Sequence, residues 1–114
     1  NNNKRLFEIV LEKSKEWGTD RNIMYVVGAT RPDELLSIRN IVPDHFLLVP
    51  GVGAQGGDIS KMAEHGMNDT CGLLVNSSRG IIYASSDVDF AERAGNEAEK
   101  MQLEMDILLS KKGI

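Results

Sequence analysis

VPGVGAQGGD, residues 49–58, closes the apolar run FLLV and spells G-x-G-x-x-G with Gly51, Gly53 and Gly56. The pattern poses a choice between a dinucleotide loop and another kind of anion site. In a dinucleotide-binding unit the helix opens inside the glycine motif, and an acid roughly 20 residues further on meets the ribose. Here Gly56-Gly57 leads into Asp58, which reads as loop up to a helix cap, because each glycine in a first helical turn costs about 1 kcal/mol relative to alanine. At the distance where the acid belongs stands Asn76-Ser77-Ser78-Arg79. Arg79 is the one feature there that suits the variant accepting a 2'-phosphate. A phosphate without a dinucleotide fits better. Glycines let backbone approach an anion, Gln55 offers an amide, and the helix opened by Asp58 points its first N–H groups back at the loop. One strand further on, Arg79 adds a guanidinium suited to paired, charge-assisted hydrogen bonds.

Outward from this loop the chain alternates. KRLFEIVLEKSKEW (4–17) places Leu6, Val10 and Trp17 on one helical face, with Phe7 and Leu11 beside them, and predicts an amphipathic helix ending at Gly18. IMYVVG (23–28) predicts a strand buried on both faces. Thr30 is the expected N-cap of a helix with Arg31-Pro32-Asp33-Glu34 at its start, reaching about Asn40 before Pro43 stops it. FLLV (46–49) and GLLV (72–75) are further continuous apolar strands. Between them a helix is expected from about Ile59 to His65, capped by Gly66. After NSSRG and IIYAS, the recurrence of Phe90, Ala94, Ala98, Met101, Met105 and Leu108 predicts a long helix with a core-facing stripe. Strands without polar alternation, separated by helices, imply an α/β fold with a parallel sheet and right-handed crossovers. Three such strands leave two unpaired edges, so the architecture reads as a single partial domain over residues 1–114.

Composition narrows the function classes. With 114 residues, 41% hydrophobic and 26% charged, and a net charge of -4, the chain has no electrostatic reason to bind nucleic acid or an anionic membrane. No apolar run approaches the roughly 20 residues of a membrane span, and NNNKRLFEIV lacks the apolar stretch of a signal peptide. The single cysteine, Cys71, rules out an internal disulfide framework and makes a reducing cytoplasm the default compartment. His45 and His65 form no metal-ligand pattern, so neither a metal nor another cofactor is expected. Met101 and Met105 read as core. Ser77 and Ser78 lack G-x-S-x-G and a histidine placed to serve them.

Taken together, VVGATRPDELLSIRNIVPDHFLLVPGVGAQGGD (26–58) and GLLVNSSRGIIYA (72–84) closely resemble the C-terminal part of the orotidine 5'-phosphate decarboxylase family, in the form of its bacterial subgroup. The resemblance runs from about Ile23 through the final helix. It implies strands six, seven and eight of a (β/α)8 TIM barrel, preceded by the helix after strand five, and a phosphate site in the last two strand-end loops. It also implies that Gln55 and Arg79 hold the phosphate of orotidine 5'-phosphate or UMP, with Gly51, Gly53 and Ser78 around it and Pro50 and Val52 on the pyrimidine side. Arg31 is a weaker candidate for the pocket rim. The family's Lys/Asp network, carried by D-x-K-x-x-D, does not occur in these residues, so no catalytic residue is expected in this chain. The implied partners are the N-terminal part of the barrel and, for the whole enzyme, a second copy in a homodimer. Two alternatives stay open. One is a sugar-phosphate decarboxylase or aldolase of the same barrel group, and the other an inactive phosphate-binding piece that self-associates to bury its open sheet through Val26, Leu48 and Leu74.

Overall fold

The computed structural model describes residues 3–28, 31–52 and 58–114. In chain order the elements are α1 (Leu6–Ser14), β1 (Tyr25–Val26), α2 (Pro32–Ile41), β2 (Leu47–Val49), α3 (Ile59–Gly66), β3 (Leu73–Val75), α4 (Arg79–Ile82) and α5 (Phe90–Lys112). The three strands form one parallel sheet in the order β1-β2-β3. Tyr25 lies opposite Leu47 and Leu47 opposite Leu73, while Val26, Leu48 and Leu74 make the next row. The expected parallel α/β arrangement is therefore present.

Side chains alternate across the sheet, so the two rows face opposite ways. Leu47, Val49 and Leu73 point into the helical layer and are buried, where they join Leu35, Val42 and Met62 in the core. The other face is open: Val26 is 70% and Leu74 47% exposed, with Leu48 half-buried. A strand buried on both faces was expected at IMYVVG, and the structure corrects this, because the chain's own helices cover one face only.

Each helix starts where local chemistry permits. At α3, Asp58 is the N-cap, its carboxylate accepting from the N–H groups of Ser60 and Lys61 at 2.9 and 3.3 Å. Gly66 proves to be the last helical residue instead of the cap, which is Met67. A Cβ at Gly66 would stand 3.2 Å from a Leu73 methyl, so the missing side chain lets α3 lie close on β3. At α2 the capping position is Arg31, without a side-chain cap bond, and Pro32 opens the helix. The cap expected at Thr30 falls outside the described residues and is displaced by one position, since Pro32 already supplies helical φ at N1.

Two apolar stripes lie shallower than their periodicity suggested. On α1 the inward face carries Phe7, Leu11 and Ser14, whereas Leu6, Val10 and Trp17 are 76%, 51% and 67% exposed. The Ser14 hydroxyl donates to the Leu11 carbonyl at 2.6 Å and so accepts from the Tyr25 hydroxyl at 2.7 Å, which fixes the rotation of the helix over β1. The regular helix also ends at Ser14, short of Gly18. On α5, Met101, Met105 and Leu108 pack against the core, but no residue is fully buried, and Phe90 and Ala98 are exposed. This helix packs against α3 and the short α4.

At the N-terminal end of the sheet, buried Arg39 joins four elements. Its guanidinium donates to the carbonyls of Gly66 (2.7 Å), Val42 (3.0 Å), Pro43 (3.3 Å), His45 (2.6 Å) and Gly72 (3.1 Å). Gly72 has φ +68, a conformation that glycine adopts without strain. No helix among the described residues is long and apolar enough to cross a membrane.

Candidate functional site

Because β2 and β3 run parallel and adjacent, their C-terminal ends emerge side by side. The Asn76 N–H donates to the Val49 carbonyl at 3.0 Å, which extends the ladder by one bond and holds the two exits together. From β2 come Pro50, Gly51 and Val52; from β3 come Asn76, Ser77 and Ser78. Gly51 has φ +84, the left-handed turn that sends the chain out of β2. Val52 is 4% exposed and belongs to the core. It lines a cleft of about 290 Å³ together with Ile59, Ser77, Gly80, Ile81 and Met101, between the two strand exits and α5.

The expected site residues divide accordingly. Pro50, Gly51 and Val52 follow β2, and Ser78 and Arg79 follow β3, at the same end of the sheet. Gly53 and Gln55 lie outside the described residues. Arg79 is exposed and is the first residue of α4, where a loop position was expected; Ser78 precedes it at the capping position without a side-chain cap bond. The reason is the short helical turn Arg79–Ile82, closed by Ile82 N–H to Ser78 O at 2.8 Å. The Asn76 side-chain amide reaches the Ser78 hydroxyl at 3.4 Å. Arg31 donates to the Glu34 carboxylate at 3.1 Å, and Arg5, at the capping position of α1, reaches the same oxygen at 3.1 Å, so the Arg31 charge is shared with an acid.

In the first turn of α3 the N–H groups of Ser60 and Lys61 donate to the Asp58 carboxylate, the capping role expected of it. A carboxylate at that position occupies the positive end of the helix. The α5 side of the cleft, where Lys100 pairs with Glu97 at 2.7 Å and Glu104 accepts from Ser60 at 3.3 Å, was not anticipated. Alternating charges on a long helix read as a solvated face, and no motif marked them. Among the described residues no group of three or more His, Cys, Asp or Glu is placed to hold a metal ion.

Parallel strands in chain order, helices on one face, an uncovered opposite face and glycine-rich exits at the strands' C-terminal ends define a segment of a (β/α)8 barrel. No family model matches the chain. Individual proteins do. It is 58% identical over 113 residues, 99% of its own length, to an orotidine 5'-phosphate decarboxylase of Parabacteroides distasonis, and 57% identical over 108 residues, 95% of its length, to that of Phocaeicola vulgatus. Each match takes in 40% of the relative. A solved structure of Leishmania donovani OMP decarboxylase superposes with a TM-score of 0.69 at 31% identity, over 89% of this chain and 39% of the other. The chain belongs to the orotidine 5'-phosphate decarboxylase family and spans about 40% of the length of the curated relatives it matches.

Proposed function

We propose that this chain forms the phosphate-holding side of an orotidine 5'-phosphate decarboxylase, the lyase that converts orotidine 5'-phosphate to UMP. Gln55 and Arg79 hold the substrate phosphate, Gly51, Gly53 and Ser78 lie around it, and Pro50 and the backbone of Val52, whose side chain is buried in the core, stand toward the pyrimidine. The supporting observation is the adjacency of the β2 and β3 exits, which puts the glycine stretch and Arg79 on neighbouring strand ends. Decarboxylation breaks the bond between the ring carbon and its carboxylate and leaves the electron pair on carbon, which then takes a proton. The lysine that gives this proton comes from the remainder of the barrel. This chain's part is remote binding: phosphate contacts orient the base and raise turnover at a carbon they never touch.

In a complete barrel containing this chain, Arg79→Ala is expected to lower kcat/KM by roughly 30- to 4,000-fold, about 2 to 5 kcal/mol, the range for unpairing one member of a buried charged pair. Release of carbon dioxide from carboxyl-labelled substrate measures it. A loss smaller than about tenfold contradicts the assignment.

A further inference from the structure

On the open face of the sheet the rows change character toward the strands' C-terminal ends. Val26, Leu48 and Leu74 make one row, and two residues further along each strand the same face carries Gly28, Pro50 and Asn76. The ladder reaches that far: the Val27 N–H donates to the Leu48 carbonyl at 2.9 Å and the Asn76 N–H to the Val49 carbonyl at 3.0 Å. In a (β/α)8 barrel this face is the interior, which branched apolar side chains from the strands fill. The Val26 row supplies such side chains and the next does not. Gly28 contributes none, and a Cβ built on it would meet nothing within 4 Å among the described residues. Pro50 contributes a compact ring. Asn76 is exposed and is the one residue of the three whose side chain can hydrogen-bond. Its amide nitrogen lies 3.4 Å from the Ser78 hydroxyl, and its side-chain carbonyl oxygen accepts no hydrogen bond among the described residues.

We infer that Asn76 is a specificity-determining contact for the pyrimidine ring, its amide meeting the polar edge of a ring that lies above the Val26, Leu48 and Leu74 row. This rests on the phosphate reading above: with the phosphate at Arg79, three residues further out, the end of the nucleotide that reaches the row of Gly28, Pro50 and Asn76 is the base. A uracil ring suits that place. Its faces rest on aliphatic side chains, and its edge alternates carbonyl acceptors with an N–H donor, which a carboxamide matches with one donor and one acceptor. The glycine and the proline leave the ring the room that longer side chains would take.

The test compares UMP, uridine and ribose 5-phosphate in binding titrations on a complete barrel containing this chain. Asn76→Leu, which extends the apolar row, is expected to weaken UMP and uridine alike by roughly fivefold or more while ribose 5-phosphate binding stays within about twofold. Asn76→Ala serves where the leucine variant does not fold. UMP binding within about twofold of the unaltered protein, or ribose 5-phosphate weakened as much as UMP, overturns the inference. Arg79→Ala runs alongside with the opposite pattern expected, a loss of UMP and ribose 5-phosphate binding with uridine spared. If it leaves the preference for UMP over uridine intact, the phosphate reading itself has failed.

Discussion

Arg39 keeps its charge inside the molecule with backbone carbonyls as its hydrogen-bond acceptors. Burial lowers its pKa from the ordinary arginine value, with Asp44 nearby acting in the opposite sense. Replacing it by methionine would fill similar space but leave buried carbonyls from α2, α3 and the entries to β2 and β3 without a donor. Arg39→Met is expected to destabilise a complete barrel on the order of 3 kcal/mol, the scale of losing charge-assisted bonds and stranding their acceptors. Arg39→Lys should recover only part of this, since an ammonium cannot fork toward several elements. Urea denaturation measures both, and a loss below about 1 kcal/mol for the methionine variant contradicts the role. Nothing in the stretch SIRN singled out this residue, because which carbonyls a guanidinium meets is decided by elements distant in sequence. Asp58 was legible for the opposite reason: capping involves only the next three residues. Gln55 and Arg79 were legible as anion-binding candidates from the glycine loop and the next strand end, and the family resemblance supplied the substrate; a strand-end arginine by itself cannot be told from a solvated one.

At the scale of elements, the number, order and type of strands and main helices were readable, while depth and rotation were not. A period of three to four residues marks a helix's apolar side, but α1 carries apolar residues wide enough for two faces, and the Ser14–Tyr25 hydrogen bond chose between them. The short α4 escaped notice because one helical turn has no periodicity to detect. The start of α5 depends on Asp89, whose carboxylate accepts from the Ser85 hydroxyl at 2.6 Å and from Arg93 at 3.0 Å. These bonds, Ser85 first and Arg93 second, hold its pKa below the ordinary 3.8. A carboxylate depressed on folding contributes stability above its unfolded value and loses it as pH falls through the folded one. Amide exchange in the first turn of α5 should therefore quicken relative to the rest of the helix when pH is lowered from about 5 to about 2.5. Asp89→Asn should remove that pH dependence, and an unchanged acid response in the variant would show that another group is responsible.

Across the whole molecule the uncovered sheet face dominates. Val26, Leu48 and Leu74 form a row with no element above it among the described residues, and beside it α1 and β1 enclose a groove of about 710 Å³ lined by Leu6, Val10 and Val26. An apolar row next to an open strand edge favours association. The 114-residue chain alone is thus expected to elute in size-exclusion chromatography above its 12.6 kDa, and Leu74→Glu to shift it toward that mass. A well-ordered monomer without the substitution would count against this. That the sheet was incomplete could be read from three strands in a parallel fold, but which rows stayed open required the register. The sheet order has a kinetic consequence as well. Since β1 pairs with β2 and β2 with β3, each pairing closes over only one intervening helix. Closure entropy rises only slowly with such lengths, and local pairings form fast. Each strand–helix unit can then add to its predecessor as soon as it has been synthesised, so the sheet grows in chain order through local steps alone.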